Sequence, residues 1–210
     1  MIDVARAIAR LHELHPGVRI DVRSAATGGS IGLLADVASG ATDLCIVVLP
    51  IAVPPEIELQ PLVSGGYTAA VGVTHPFAAR TDALSPEDFE GADLVEFPVG
   101  FSIRNAADRI FAEHGIRRRT HIEVGHLELI ATYVAAGLGI GLISRDLVAA
   151  RPDLVALDAP WLELRWTVAI ARRRDRRVSR AAATLIAELE ENCRQGIAAG
   201  RFDAPDAVAR

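Results

Sequence analysis

Apolar residues recur at helical spacing at Val4, Ile8, Leu11 and Leu14, with Arg6, Arg10 and Glu13 on the opposite side. Asp3 stands where an N-cap belongs, and His15-Pro16-Gly17 stops the helix. The period then changes. Val18, Ile20 and Val22 alternate with Arg19, Asp21 and Arg23, which predicts a strand with one wetter face. A second helix is expected from Ser30, acting as its cap, through Leu34 and Val37 to Gly40. Residues 43–49 are almost unbroken apolar sequence, the pattern of a strand covered on both faces. Strand, helix and strand in this order predict a βαβ unit and an α/β class.

Beyond Pro54-Pro55 the pattern predicts strands at 57–62, 67–73, 94–97, 120–124, 140–143 and 164–171. Helices are expected at 102–114, 127–136 and 179–192, and a short one at Ser85-Pro86-Glu87-Asp88, where proline follows a capping serine. The order fits two Rossmann-like lobes joined by crossover strands. Residues 1–69 with 170–196 form the first lobe and 70–169 the second, leaving 197–210 as a flexible tail.

Composition narrows the chemistry. Half of the 210 residues are hydrophobic and 23% are charged, so a packed core is affordable to the chain. All 22 basic residues are arginine, which excludes a P-loop lysine, a kinase lysine and any lysine Schiff base. A net charge of −5 argues against this chain gripping nucleic acid by itself. Cys45 and Cys193 belong to no C-x-x-C pair, Cys45 reads as a small buried hydrophobe, and a reducing cytoplasm is expected. No apolar run approaches the ~18 residues of a membrane span, and the first residues are not a secretory signal, so no membrane partner is expected.

Several motifs mislead. Gly28-Gly29-Ser30-Ile31-Gly32 matches the G-x-S-x-G nucleophile elbow, but the residues before Ser30 make one helix and one strand and leave no room for an oxyanion loop. A serine hydrolase is therefore the least favoured reading, and no enzyme activity is expected. His12 with His15 is not H-E-x-x-H, and His126-Leu127-Glu128 lacks the cysteines of a deaminase, so neither a metal nor another cofactor is predicted. Gly137-Leu138-Gly139-Ile140-Gly141 ends a helix before a strand, the reverse of a dinucleotide turn. The arginines of residues 172–177 read as a solvated hairpin end.

One constellation points to a ligand. Gly100-Phe101-Ser102-Ile103-Arg104 opens a helix in the second lobe as Thr27-Gly28-Gly29-Ser30 does in the first. Two such helix starts facing a crevice would hold a carboxylate, with Arg104 adding a charge-assisted bond. Two ordinary capped helices would leave the same sequence pattern.

The chain resembles the effector-binding domain of LysR-type transcriptional regulators. The resemblance rests on "S..LL..V..G..DLCI" from Ser30, "PLVSGGYTAAVGVTHPFAAR" from Pro61, "LSPEDFEGADLVEF" from Leu84 and "EVGHLELIATYVAAGLGIGLIS" from Glu123. It implies the type 2 periplasmic-binding-protein fold, a homodimer or higher homo-oligomer, and a small, anionic effector held between the lobes. The implied site is Ser30, Thr27, Gly29, Phe101, Ser102, Arg104 and His126. The family's helix-turn-helix and the first strand of lobe I have no counterpart in this sequence. DNA contact is therefore expected only through a part outside this chain. A solute-binding protein of the same fold is the alternative.

Overall fold

Asp3 caps the first helix as expected. Its carboxylate accepts from the Arg6 N–H at 2.9 Å, and α1 (Val4–Leu14) ends on His15, whose N–H donates to the Leu11 carbonyl. The computed structural model describes residues 2–24 and 29–207. It continues with α2 (Gly29–Ser39), β1 (Leu44–Leu49), β2 (Ile57–Gly72), β3 (Asp93–Glu96), α3 (Ser102–Glu113) and β4 (Arg119–Glu123). Then follow α4 (Leu127–Ala135), β5 (Ile140–Ser144), α5 (Arg145–Ala149), β6 (Leu154–Ala156), β7 (Leu164–Arg173) and α6 (Arg180–Ala198). Two compact units result: Met1–Ser64 with Thr167–Arg210, called unit 1, and Gly65–Trp166, called unit 2.

In unit 1, β1 pairs antiparallel with β7, from Leu44 opposite Arg172 to Leu49 opposite Thr167. Leu34 and Val37 of α2 close over Cys45, Val47 and Leu49 with Ile57, Ala169 and Ala171. The buried Ala7 and Leu11 put α1 against α6, which buries Ile186, Leu189 and Cys193. The alternation at 18–22 does not become a strand. A strand needs a partner for its backbone groups, and among the described residues β7 is the one strand that pairs with β1. Val22 is left 67% exposed. Nor is β1 equally covered on both faces: Cys45, Val47 and Leu49 are buried, and Leu44, Ile46 and Val48 only half so. The terminal segment, expected to fray, is anchored through Asp206. Phe202 is buried against Gly196, Asp203 exchanges backbone hydrogen bonds with Ser64, and the Asp206 N–H donates to the Ser64 hydroxyl at 2.8 Å.

Unit 2 is built outward from β3, which lies parallel to both β4 and β5. The β3–α3–β4 and β4–α4–β5 connections are its parallel crossovers. β5 pairs antiparallel with the second half of β2, and β6 with the end of β2. Ile130, Ala131 and Val134 of α4 pack on Ala70, Val95 and Ile143. A second apolar group joins Phe89, Phe111 and Trp161 edge to face, with the Trp161 indole N–H donating to the Leu84 carbonyl at 3.0 Å.

The sequence pattern splits β2 at Gly65-Gly66, but the strand runs through. Gly65 leaves no room for a Cβ against the Trp166 ring, so this glycine serves close packing and not a turn. The run from Gly137 to Gly141 is the tight helix-to-strand turn predicted for it, with Gly137 and Gly139 at φ of 82° and 139°.

Candidate functional site

In unit 1, α2 begins at Gly29, at φ of 53°, so Ser30 is the second helical residue and not the cap. The Ser30 hydroxyl instead accepts from the Val48 N–H at 2.9 Å. Val48 is half-buried near the end of β1, where its N–H faces away from β7 and would otherwise lack a partner. Ser30 thus ties the start of α2 to the end of β1. The N–H groups of the first helical turn have no intrahelical acceptor by construction. Thr27 lies outside the described residues.

In unit 2, Gly100 takes φ of 99° and delivers Phe101 to the N-cap of α3. Phe101 caps through its backbone only: its carbonyl accepts from the Asn105 N–H at 2.9 Å, and no side chain bonds to the first-turn N–H groups. Its ring stacks on Phe97, centroids 5.2 Å apart at 21°, and a Cβ at Gly125 of the next turn would lie 3.6 Å from it. That turn leads into α4, which begins at the exposed His126, again without a side-chain cap. Phe101, Ser102 and His126 therefore stand at two adjoining uncapped helix starts of the same unit.

Arg104 is placed differently from its predicted role. Its side chain is 11% exposed and turned inward. Nε donates to Asp108 at 3.0 Å, and one terminal nitrogen donates to Glu123 at 2.9 Å and to the Phe97 carbonyl at 3.1 Å, with Glu96 at 3.8 Å. Burial works against its charge, but Glu96, Asp108 and Glu123 outweigh burial and hold its pKa above the ordinary arginine value. Two of its three nitrogens are committed to protein acceptors. Arg104 is the pin that fixes α3 to the β3 and β4 ends.

The rest of that pin was not legible as a site. Glu96, 3% exposed, receives Arg118 through both carboxylate oxygens, the shortest bond 2.8 Å, and Thr120 at 2.7 Å. Arg118 also bonds Asp108 and lies 4.4 Å over the Phe111 ring. The signal available in the sequence was an acid closing an apolar strand and Arg104 four residues before Asp108. Elsewhere in unit 2 a cavity of about 470 Å³ opens beside His75, His121 and the turn at Gly137–Gly139. Its acids are already paired, Asp88 with Arg80, Glu90 with Arg117 and Asp93 with Arg119. Among the described residues no group of three or more His, Cys, Asp or Glu could hold a metal.

The family model described as LysR substrate binding domain matches residues 3–194. Among curated relatives, the uncharacterized HTH-type transcriptional regulator YybE of Bacillus subtilis is 28% identical over 165 residues, 74% of this chain and 52% of that protein. The chain spans about half or less of the length of the curated relatives it matches. Among solved structures, the regulatory domain of CcmR from Synechocystis, in complex with 2-PG, superposes with a TM-score of 0.74 at 20% identity. That match covers 90% of this chain and 89% of the other. The effector-binding domain of QuiR in complex with shikimate gives 0.71 at 18% identity, covering 91% and 90%.

Proposed function

Because the chain belongs to the LysR substrate-binding domain family, we propose that it is the effector-sensing part of a transcriptional regulator and binds a small organic anion. The family match over residues 3–194 carries the reading. The uncapped starts of α3 and α4 support the ligand class, since free N–H groups at helix N-termini favour negative charge. One relative of this fold is complexed with shikimate, which bears a carboxylate. In this proposal Gly29, Ser30, Phe101, Ser102 and His126 meet the effector, Thr27 joins them, and Arg104 holds α3 in place without touching the ligand.

The effector shifts the regulator only by its differential affinity for two states of the domain. Action as a cytoplasmic homodimer or higher homo-oligomer follows from the same family reading. Among the described residues no helix is long and apolar enough to cross a membrane. The hydrolase alternative loses support, because the Ser30 hydroxyl is already the acceptor for Val48 and the serine lies inside the first helical turn. The test is a thermal-shift screen of the chain against small organic acids, shikimate among them. Binding at 100 times Kd should stabilise by about 2.7 kcal/mol, a shift of several degrees. A flat response to every acid, with a response to neutral or cationic compounds, would reject the anionic effector.

A further inference from the structure

Unit 1 carries a concentration of positive charge that its own ion pairs use only in part. Arg172, Arg173, Arg174, Arg176, Arg177 and Arg180 fall within nine residues against one acid, Asp175. They span the end of β7, the turn after it and the first residue of α6. Three of the six are spent locally: Arg172 on Glu58 at 2.9 Å, Arg173 on Asp175 and the Ala38 carbonyl, Arg174 on the Pro55 carbonyl. Arg176, Arg177 and Arg180 are exposed and form no ion pair among the described residues. A cavity of about 70 Å³ opens among Arg172, Arg173, Arg176 and Arg177, with Asp43 its acid neighbour. The first turn of α6 holds no acid, so these cations also crowd the end of a 19-residue helix where cations are disfavoured. Such an arrangement costs stability unless an anion from outside neutralises it.

We propose that this arginine face takes the phosphate oxyanions of duplex DNA, as a backbone contact that reads no sequence. Arginine's planar fork suits phosphate, and backbone contacts of this kind position a protein without selecting bases. DNA, over other polyanions, rests on the reading of the chain as part of a transcriptional regulator. With the chain at −5 overall, the contact is local and strongly salt-dependent. It departs from the sequence expectation that these arginines are merely solvated and that DNA is met only outside this chain.

The test is fluorescence anisotropy of a labelled duplex of about 20 base pairs and arbitrary sequence, titrated with the 210-residue chain at several salt concentrations. Engagement of three phosphates predicts Kd in the range ~10⁻⁴ to 10⁻⁶ M and a loss of about 40-fold between 50 and 200 mM salt. The triple variant R176Q/R177Q/R180Q should weaken binding at least about tenfold and nearly flatten the salt dependence. Arg177→Gln alone, which removes no protein contact, should lower the salt slope by about one and guards against misfolding of the triple variant. Arg117→Gln, on an exposed arginine of unit 2, should change nothing. No binding at low salt, or binding indifferent to both variants, overturns the proposal. So does capture of pyrophosphate or of phosphatidylserine vesicles with no capture of duplex. The organic-acid thermal shift should be the same in the triple variant, so this proposal and the effector reading can fail separately.

Discussion

In unit 2, β3 has a parallel neighbour on each side, and α3 and α4 lie in the connections that bring those neighbours back. In unit 1, β1 has β7 on one side, and on the other a serine hydroxyl takes the Val48 N–H. β1 reads as wholly apolar and β3 as an apolar pair between two acids. The difference is in their edges, and it shows what a hydrophobic pattern reports. Periodicity tells which face of a segment is to be buried, while pairing depends on a partner whose position the segment itself does not encode. Unit 2 supplies the partners within 50 residues of chain and even affords a buried ion network. Unit 1 leaves residues 18–24 alternating in composition yet unpaired.

The contrast can be broken hardest at Glu96. Glu96→Ala leaves Arg118 and Arg104, 10% and 11% exposed, without their shared carboxylate. Loss of one partner from such a buried set costs about 3–5 kcal/mol, against a total stability of about 5–15 kcal/mol. Urea unfolding should show that drop, and Glu96→Gln, which keeps one acceptor oxygen but turns the other into a donor and removes the charge, should recover only part of it. The counterpart in unit 1 is Leu34→Ala, at a site 2% exposed. It should cost about 2 kcal/mol, at the low end of the range for such truncations, because it leaves an apolar void and no unpaired charge. Equal losses for the two variants would erase the distinction between the units.

A smaller effect sharpens the edge. Ser30→Ala removes the acceptor for the Val48 N–H and should cost about 1 kcal/mol. In native-state hydrogen exchange the Val48 amide should speed up in that variant, while the amides of Leu94 and Val95 in β3 stay protected. If Val48 exchanges at an unchanged rate, Ser30 is not what completes β1.

How much of this was readable follows the same line. The ends of α1, the caps at Asp3, Ser85 and Ser179, and the turn at Gly137–Gly139 are local chemistry, and each appears where the residues put it. The strand at 18–22 failed for want of a partner. α5 and β6 went unread because neither is long enough to complete two periods. Arg104 was misread because its position one turn into a helix start suggests a ligand, whereas the acids that turn it inward come from Glu96 and Glu123, distant in sequence.

The smallest effect is the acid limb. Arg80 lies between Asp82 and Asp88. Its hydrogen bond lowers the Asp82 pKa, and for Asp88 the Ser85 backbone N–H comes first and Arg80 adds to it. Folded values below the unfolded 3.8 mean that this stabilisation is complete above about pH 4 and is lost as pH falls through the lowered values. Both carboxylates are on the solvated surface, so the change should be slight and fade with salt. Arg80→Gln should flatten the limb, and an unchanged limb would place the acid sensitivity elsewhere.

The central claim is that helix starts hold an organic anion. Its most direct test is a titration of the ¹⁵N-labelled chain with the acid that gives the largest thermal shift, following backbone amides by NMR. The amides of Ser102, Ile103 and Leu127, at the starts of α3 and α4 in unit 2, should move together on one binding curve. Shifts that leave these amides still, and gather instead around His75, His121 and Gly139, would contradict the account.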